Sequence, residues 1–321
     1  MPPPRSAGPL TLLACLCALL GALCGWIAPN LTAAPARSQQ EPTETQSFWC
    51  PMHPDIRGKA GDKCPICQMA LVAAPSTNHQ AYRLDFRLTP AAPRPGRSTG
   101  VRFLVRTPET GVIVKEFERV HERLLHFFVI GHDLRYFAHL HPVLHDDGTF
   151  EQRIVLPQAG AYRLIADFLP TGGAPQLLQK SVATAGYRGP LLPRGAPAPD
   201  LGDKVIDGVR VALATPQPVG GLQQLVTFDL EDAATRKPIE DLEPFLGAAG
   251  HLLILSADLQ DAAHSHPIAE ISTRLGPRVV FQVLFPRAGT YRMWAQFQRK
   301  GAVLTAPFTI TARPRNQVFG R

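Results

Sequence analysis

At 321 residues, with 33 Lys and Arg against 26 Asp and Glu, a formal net charge of +7 and 45% hydrophobic residues, the chain has the apolar material for one large folded domain or two small ones, which excludes a disordered polymer. The cations are scattered, with no long basic run and little aromatic interleaving, and this argues against a nucleic-acid surface.

The chain begins with an apolar segment. The uncharged run Leu10 to Ala28 follows Arg5, and Ala34-Pro35-Ala36 is a small-x-small site suited to signal-peptide cleavage after Ala36. A run of about 19 residues also suffices to span a bilayer uncleaved, so residues 1–36 read as a signal peptide or as a membrane anchor. Cys15 after Leu12-Leu13-Ala14 offers a weaker third reading, a lipoprotein-type site. On each, the expected location is exported, in the periplasm or cell envelope, with the membrane touched only through this segment.

Residues 37–47 read as a linker, and residues 48–74 then hold every cysteine beyond position 24. Cys50-Pro51-Met52-His53 is a C-x-x-H knuckle and Cys64-Pro65-Ile66-Cys67 a C-x-x-C knuckle. Three thiols cannot all pair within one chain, so a disulfide framework fails, whereas three thiolates and one imidazole make the Cys3His set of a tetrahedral metal site. Met52 and Met69 each stand two residues after a cysteine, and thioethers beside thiolates favour soft ions such as Cu(I) or Ag(I), with zinc still compatible. The competing reading is a redox C-x-x-C with Cys50 as a bystander.

The motifs "CPMHP" (Cys50 to Pro54) and "CPICQMAL" (Cys64 to Leu71) resemble the small heavy-metal-binding domain near the N-termini of copper and silver efflux adaptors and some heavy-metal P-type ATPases. The resemblance covers under a tenth of the chain and implies a metal held by Cys50, His53, Cys64 and Cys67. Gln68 departs from it, because the family pattern usually has Gly there, and this bears on the tightness of the last turn. Neither parent architecture is implied: the sequence has no further transmembrane runs and no long heptad hairpin.

The remainder contains a repeat. Shifted by 125 residues, "HFFVIGHDLRYFAHLHP" (His126 to Pro142) lies over "HLLILSADLQDAAHSHP" (His251 to Pro267); further on, "LPQAGAYR" (Leu156 to Arg163) lies over "FPRAGTYR" (Phe285 to Arg292). Alternating apolar positions at Leu84, Phe86 and Leu88, and at Val101, Phe103 and Val105, predict half-buried strands separated by Pro- and Gly-rich breaks. The predicted fold is mainly β: the small Cys/His module followed by two tandem β-sandwich domains, immunoglobulin-like or cupredoxin-like, at 80–185 and 204–312. Residues 186–203 are a Pro- and Gly-rich linker and 313–321 a tail.

Three pairs of histidines occupy matching positions: His126 with His251, His139 with His264, and His141 with His266. In a strand the two imidazoles of H-x-H share a face, and Gly131 to Leu134 (Ser256 to Leu259 in the second copy) reads as a hairpin turn that brings the preceding histidine onto that face. Each sandwich is therefore expected to gather its own trio, His126, His139 and His141 or His251, His264 and His266, able to bind Cu(II) or Zn(II) or serving as satisfied scaffold. His121, His132 and His145, opposite Leu246, Ala257 and Glu270, read as surface or supporting residues, and His79 falls in a linker.

No nucleophile elbow, phosphate loop or dinucleotide fingerprint is present, so a binding protein fits better than an enzyme. The expected function is exported heavy-metal binding, of copper, silver or zinc, for buffering, delivery or resistance, with metal ions and a metal-efflux or other envelope protein as partners. The alternatives are an envelope interaction module with a structural zinc and, less favoured, a copper-dependent oxidoreductase.

Overall fold

In the computed structural model, residues 48–50, 56–66, 68–73, 82–191, 195–215, 217–268 and 275–319 are described. Strands β1 (Phe48–Trp49), β2 (Arg57–Gly58) and β3 (Val72–Ala73) make a small antiparallel sheet in the order β2-β1-β3. Phe48, Ile56, Ile66 and Leu71 pack there with Cys50 and Cys64.

The first repeat supplies β4 (Arg83–Thr89), β5 (Ser98–Arg106), β6 (Leu125–Gly131), β7 (Phe137–Leu140), β8 (Val143–Leu144), β9 (Thr149–Val155), β10 (Ala161–Phe168) and β11 (Gln176–Ala183). They form two antiparallel sheets, β4-β5-β9-β8 and β11-β10-β6-β7. The predicted alternation is realised in β5, where Val101, Phe103 and Val105 are buried and meet Phe127, Val129, Phe150 and Leu164 between the sheets.

In the second repeat β12 (Lys204–Ile206), β13 (Val209–Leu213), β14 (Leu222–Asp232) and β17 (Arg278–Phe285) form one sheet. The other is β16 (Ala262–Ser265), β15 (His251–Ser256), β18 (Gly289–Arg299) and β19 (Ala302–Ala312). Its core joins Val211, Val226, Phe228, Phe281, Phe297 and Phe308. The predicted tail is still held at Arg313, whose amide donates to Pro218 O at 2.7 Å and whose carbonyl accepts from Gly220 N at 2.9 Å, before one helical turn, α1 (Asn316–Phe319).

Of the two sandwich types, the immunoglobulin-like one is present. Tyr162 Oη donates to Gln158 O at 2.8 Å and accepts from Gln158 N at 3.1 Å, and Tyr291 repeats this with Arg287 at 2.9 and 3.1 Å. This tyrosine corner, at the start of the strand that pairs with β6 or β15, is a hallmark of immunoglobulin-type sandwiches. It explains the repeated Ala-Gly-x-Tyr-Arg segment.

In a half-exposed sheet, outward positions are polar. β6 and β15 break that rule, being buried at every position. Their inward residues Phe127 and Val129, and Leu252 and Ile254, enter the sandwich cores. The outward residues Phe128 and Ile130 meet Leu253 and Leu255 in a third core, completed by Leu134, Ile165, Leu259 and Trp294. The two sandwiches thus pack through equivalent sheets, with Phe137 stacked on Trp294 at 5.0 Å and Arg163 donating to Leu259 O at 2.9 Å. Leu134 and Leu259 reach the seam from equivalent hairpins, both with left-handed backbone (φ 61° and 63°).

Trp294 is 2% exposed and belongs to the seam rather than to either sandwich core. Replacing it with Ala is expected to cost about 3–5 kcal/mol, the usual range for a buried aromatic truncation. Urea unfolding should then show the repeats separating into two transitions; a loss below about 1 kcal/mol, within the range of surface changes, would contradict the packing.

Candidate metal centre

In the N-terminal module, Cys50 N donates to Ile56 O at 3.0 Å and Cys64 N to Met69 O at 2.8 Å, which holds both knuckle starts in one small fold. Cys50 and Cys64 are fully buried, and Met69 is half-buried. Gln68 N returns to Cys64 O at 2.8 Å with φ 61°, so the position where the resembled family has Gly does adopt left-handed backbone, and its side chain is tied to Pro65 O at 3.2 Å. Met52, His53 and Cys67 lie outside the described residues, as do His79 and residues 1–47.

The repeated histidines lie on the seam. On β6, His126 shares the outward face with Phe128 and Ile130, and the register Phe128↔His139 puts His139 on that face too. The second copy matches, with Leu253↔His264. Because both outward faces turn toward each other, the imidazoles of His121, His126, His139, His141, His251, His264 and His266 meet in one cluster. Ring centroids of His126 and His264 are 4.9 Å apart, those of His139 and His251 5.6 Å, and His121 stacks on His266 at 3.5 Å.

Hydrogen bonds around the cluster repeat with the sequence. His126 Nε2 donates to Val120 O at 3.0 Å, and His251 Nε2 donates to the equivalent Phe245 O at 3.0 Å. Their Nδ1 atoms face His139 Nε2 at 3.0 Å and His264 Nε2 at 3.1 Å. The outer nitrogens of those two rings cross the seam: His139 Nδ1 lies 2.7 Å from Gln296 Oε1 and His264 Nδ1 2.7 Å from Asp167 Oδ2. Asp167 and Gln296 are equivalent residues, each beside its own repeat's leading histidine, His126 or His251.

Burial, with repulsion from neighbouring rings, holds His126, His139, His251 and His266 well below the ordinary imidazole value of 6.5. Burial also takes His121 down to about 3 and, with Arg123 nearby, His141 to about 4. Both ring nitrogens of His266, and Nε2 of His121 and of His141, are buried with no hydrogen-bond partner among the described residues. An unsatisfied buried polar atom costs about 1–3 kcal/mol, so such a concentration calls for a chemical reason.

The expected trios are corrected in one respect: they do not form two separate sites, one per sandwich. Among the described residues, the groups whose ligand atoms lie within 4.8 Å of one another are His126, His139 and His264, and His121, His251 and His266. The face that H-x-H selects is the face by which the repeats pack, so each set mixes repeats. His141 falls in neither set, though its ring is 4.7 Å from that of His139. His121, read as surface or supporting, is buried at 7% exposure and joins the second set. The available signal was the unbroken apolar runs Phe127 to Ile130 and Leu252 to Leu255, which announce a covered outward face. His132 is buried, with Nε2 3.3 Å from Ser181 Oγ, and His145 is exposed beside Glu151.

Comparison with known proteins matches residues 48–74 to the family described as "Heavy metal binding domain". The model described as "Domain of unknown function (DUF8832)" matches twice, at residues 79–184 and 204–314. No curated protein matches the chain. Among solved structures, the Escherichia coli adhesin FdeC is similar at 14% identity, over 76% of this chain and 68% of that one, with a TM-score of 0.25. Fibronectin(III)-like modules of Clostridium thermocellum CbhA give 12% identity over 72% and 95% with a TM-score of 0.20. The two-domain fibronectin type III segment of chicken tenascin gives 8% over 73% and 99% with 0.22.

The lowered histidines fix the sign of a pH effect. Unfolded rings take up protons near 6.5 while folded, metal-free His121, His126, His139, His141, His251 and His266 resist them, so stability is complete above about pH 6.5 and is lost as pH falls toward 4 and 3, the folded values of His141 and His121. The slope is about 1.4 kcal/mol per pH unit for each fully buried ring. Urea midpoints of chelator-treated protein across that window should fall steadily, and less steeply in His121→Leu; a flat profile would contradict the burial described.

Proposed function

We propose that this chain, which belongs to the family described as "Domain of unknown function (DUF8832)" and carries two copies of that domain, is an exported heavy-metal-binding protein. It holds copper, silver or zinc for buffering, delivery or resistance in the cell envelope. The observation that carries this reading is the heavy-metal-binding module at residues 48–74, with Cys50 and Cys64 brought into one buried cluster.

The donor set fits a soft or borderline ion. Thiols need to be deprotonated to bind, and the module's apolar core beside Cys50 and Cys64 consists of Phe48, Ile56, Ile66 and Leu71. A core of that size is too small to fold unaided, so a metal taken by Cys50, His53, Cys64 and Cys67 also supplies folding energy to the module. The chain's own part is to hold the knuckles by the backbone bonds of Cys50 and Cys64, with Met69 close by as a thioether that favours soft cargo.

The apolar run Leu10 to Ala28 supports export, by a cleaved signal or a retained anchor. The protein acts as a binder rather than an enzyme, exchanging its ion with a metal-efflux or other envelope protein. Protein purified under reducing conditions should lose about one equivalent of tightly bound copper, silver or zinc on Cys64→Ser, measured by elemental analysis. Metal content unchanged by that substitution would overturn the reading.

A further inference from the structure

The seam histidines carry more than a packing role. His126 and His251 each donate Nε2–H to a carbonyl, which can only accept, so their Nδ1 lone pairs point into the cluster. His264 Nδ1 is 2.7 Å from Asp167 Oδ2, and a carboxylate likewise only accepts, which leaves His264 Nε2 as a lone pair. His251 Nδ1 and His264 Nε2 therefore oppose each other, lone pair to lone pair, at 3.1 Å. Something positive belongs beside them, either a proton or a metal ion.

A proton satisfies only this one pair, whereas a metal ion takes up the lone pairs of several converging rings at once. The anchoring pattern favours the metal: a ligating histidine characteristically donates its other ring nitrogen to a backbone carbonyl or a carboxylate, which fixes tautomer and orientation. Val120 O, Phe245 O and Asp167 Oδ2 occupy that outer position for His126, His251 and His264. Gln296 stands there for His139 and can turn its amide, whereas Asp167 cannot, so the duplicated network is chemically unequal: on the Asp167 side, protons alone require an imidazolium–carboxylate pair or a protonated carboxyl. The unpartnered buried nitrogens of His266 and His121 lie against the same cluster.

We propose that the seam is a second metal centre, made of two imidazole sets that each draw on both repeats, and that it takes borderline divalent ions such as Cu(II) or Zn(II). One set is His126, His139 and His264; the other is His121, His251 and His266. All-imidazole sets without thiolate suit these ions and differ in softness from the thiol module, so the chain carries two chemically distinct kinds of site. Since neither set is complete within one repeat, a bound ion also ties the two sandwiches together.

The test uses the full-length Cys64→Ser chain, in which the thiol module is disabled, so that its outcome is separate from that of the module. Titrated with Cu(II) and followed by electron paramagnetic resonance, it should take up two equivalents with nitrogen hyperfine structure. Double substitutions then decide how the ligands are shared. His139→Gln with His264→Gln removes two ligands of one set and should leave one tight equivalent, whereas His264→Gln with His266→Gln breaks both sets and should leave none. Sets confined to single repeats predict the reverse, and that result would overturn the proposal, as would absence of saturable binding in the parent. Should the double variants fail to fold, His121→Leu serves instead, because Leu246 already occupies the equivalent left-handed position of the second repeat (φ 52° against 46°). It should lose one equivalent, and two retained equivalents would sink the second set.

Discussion

Packing of one sheet face against its own duplicate governs the arrangement of this protein. Phe128, Ile130 and Phe137 from the first repeat and Leu253, Leu255 and Trp294 from the second are apolar at positions that a lone sandwich would give to water. Each large side chain so buried contributes about 1.5–3 kcal/mol, which offsets the cost of enclosing polar rings beside them. The histidines are carried into the seam by strand parity. His126 must share a face with Phe128 and Ile130, and the β6–β7 register leaves His139 on the same side. Without the apolar seam the imidazoles would be solvated and unremarkable in their chemistry.

Duplication gives the cluster its near-symmetry, and single changes give it direction. Val120 and Phe245 offer equivalent carbonyls, and Asp167 and Gln296 equivalent side-chain acceptors. Yet Leu246 stands where His121 does in the other copy, and among the described residues the one carboxylate partnering the cluster faces His264. The two imidazole sets are therefore not copies of each other: the second keeps His251, the equivalent of His126, but completes it with His121 and His266. The thiol module ahead of them follows another plan, in which two short knuckles and a left-handed Gln68 turn close a core that has little else to hold it.

Much of this was written in the sequence. Period-two apolarity at Val101, Phe103 and Val105 specified a strand with one buried face, and the shift of 125 residues exposed the duplication. The shared face of H-x-H followed from strand geometry alone. What did not follow was the partner of that face, because parity states which side a ring is on and not what covers that side. The run Phe127 to Ile130 held the answer, since apolar residues of both parities mean burial on both faces. His121 was less legible: it sits in a turn, where no periodicity applies, and reaches the cluster through a left-handed backbone (φ 46°) that the sequence does not announce. The Asp167 and Gln296 bonds were out of reach for a related reason, being contacts between repeats about a hundred residues or more apart.

The most direct test of the account is anomalous diffraction at the metal edge from crystals of the full-length chain grown with zinc. It predicts density beside Cys50 and Cys64 and also within the seam, with one peak bounded by His126, His139 and His264. Density confined to the cysteine module, with the seam imidazoles bonded only to one another and to Asp167 and Gln296, would contradict it.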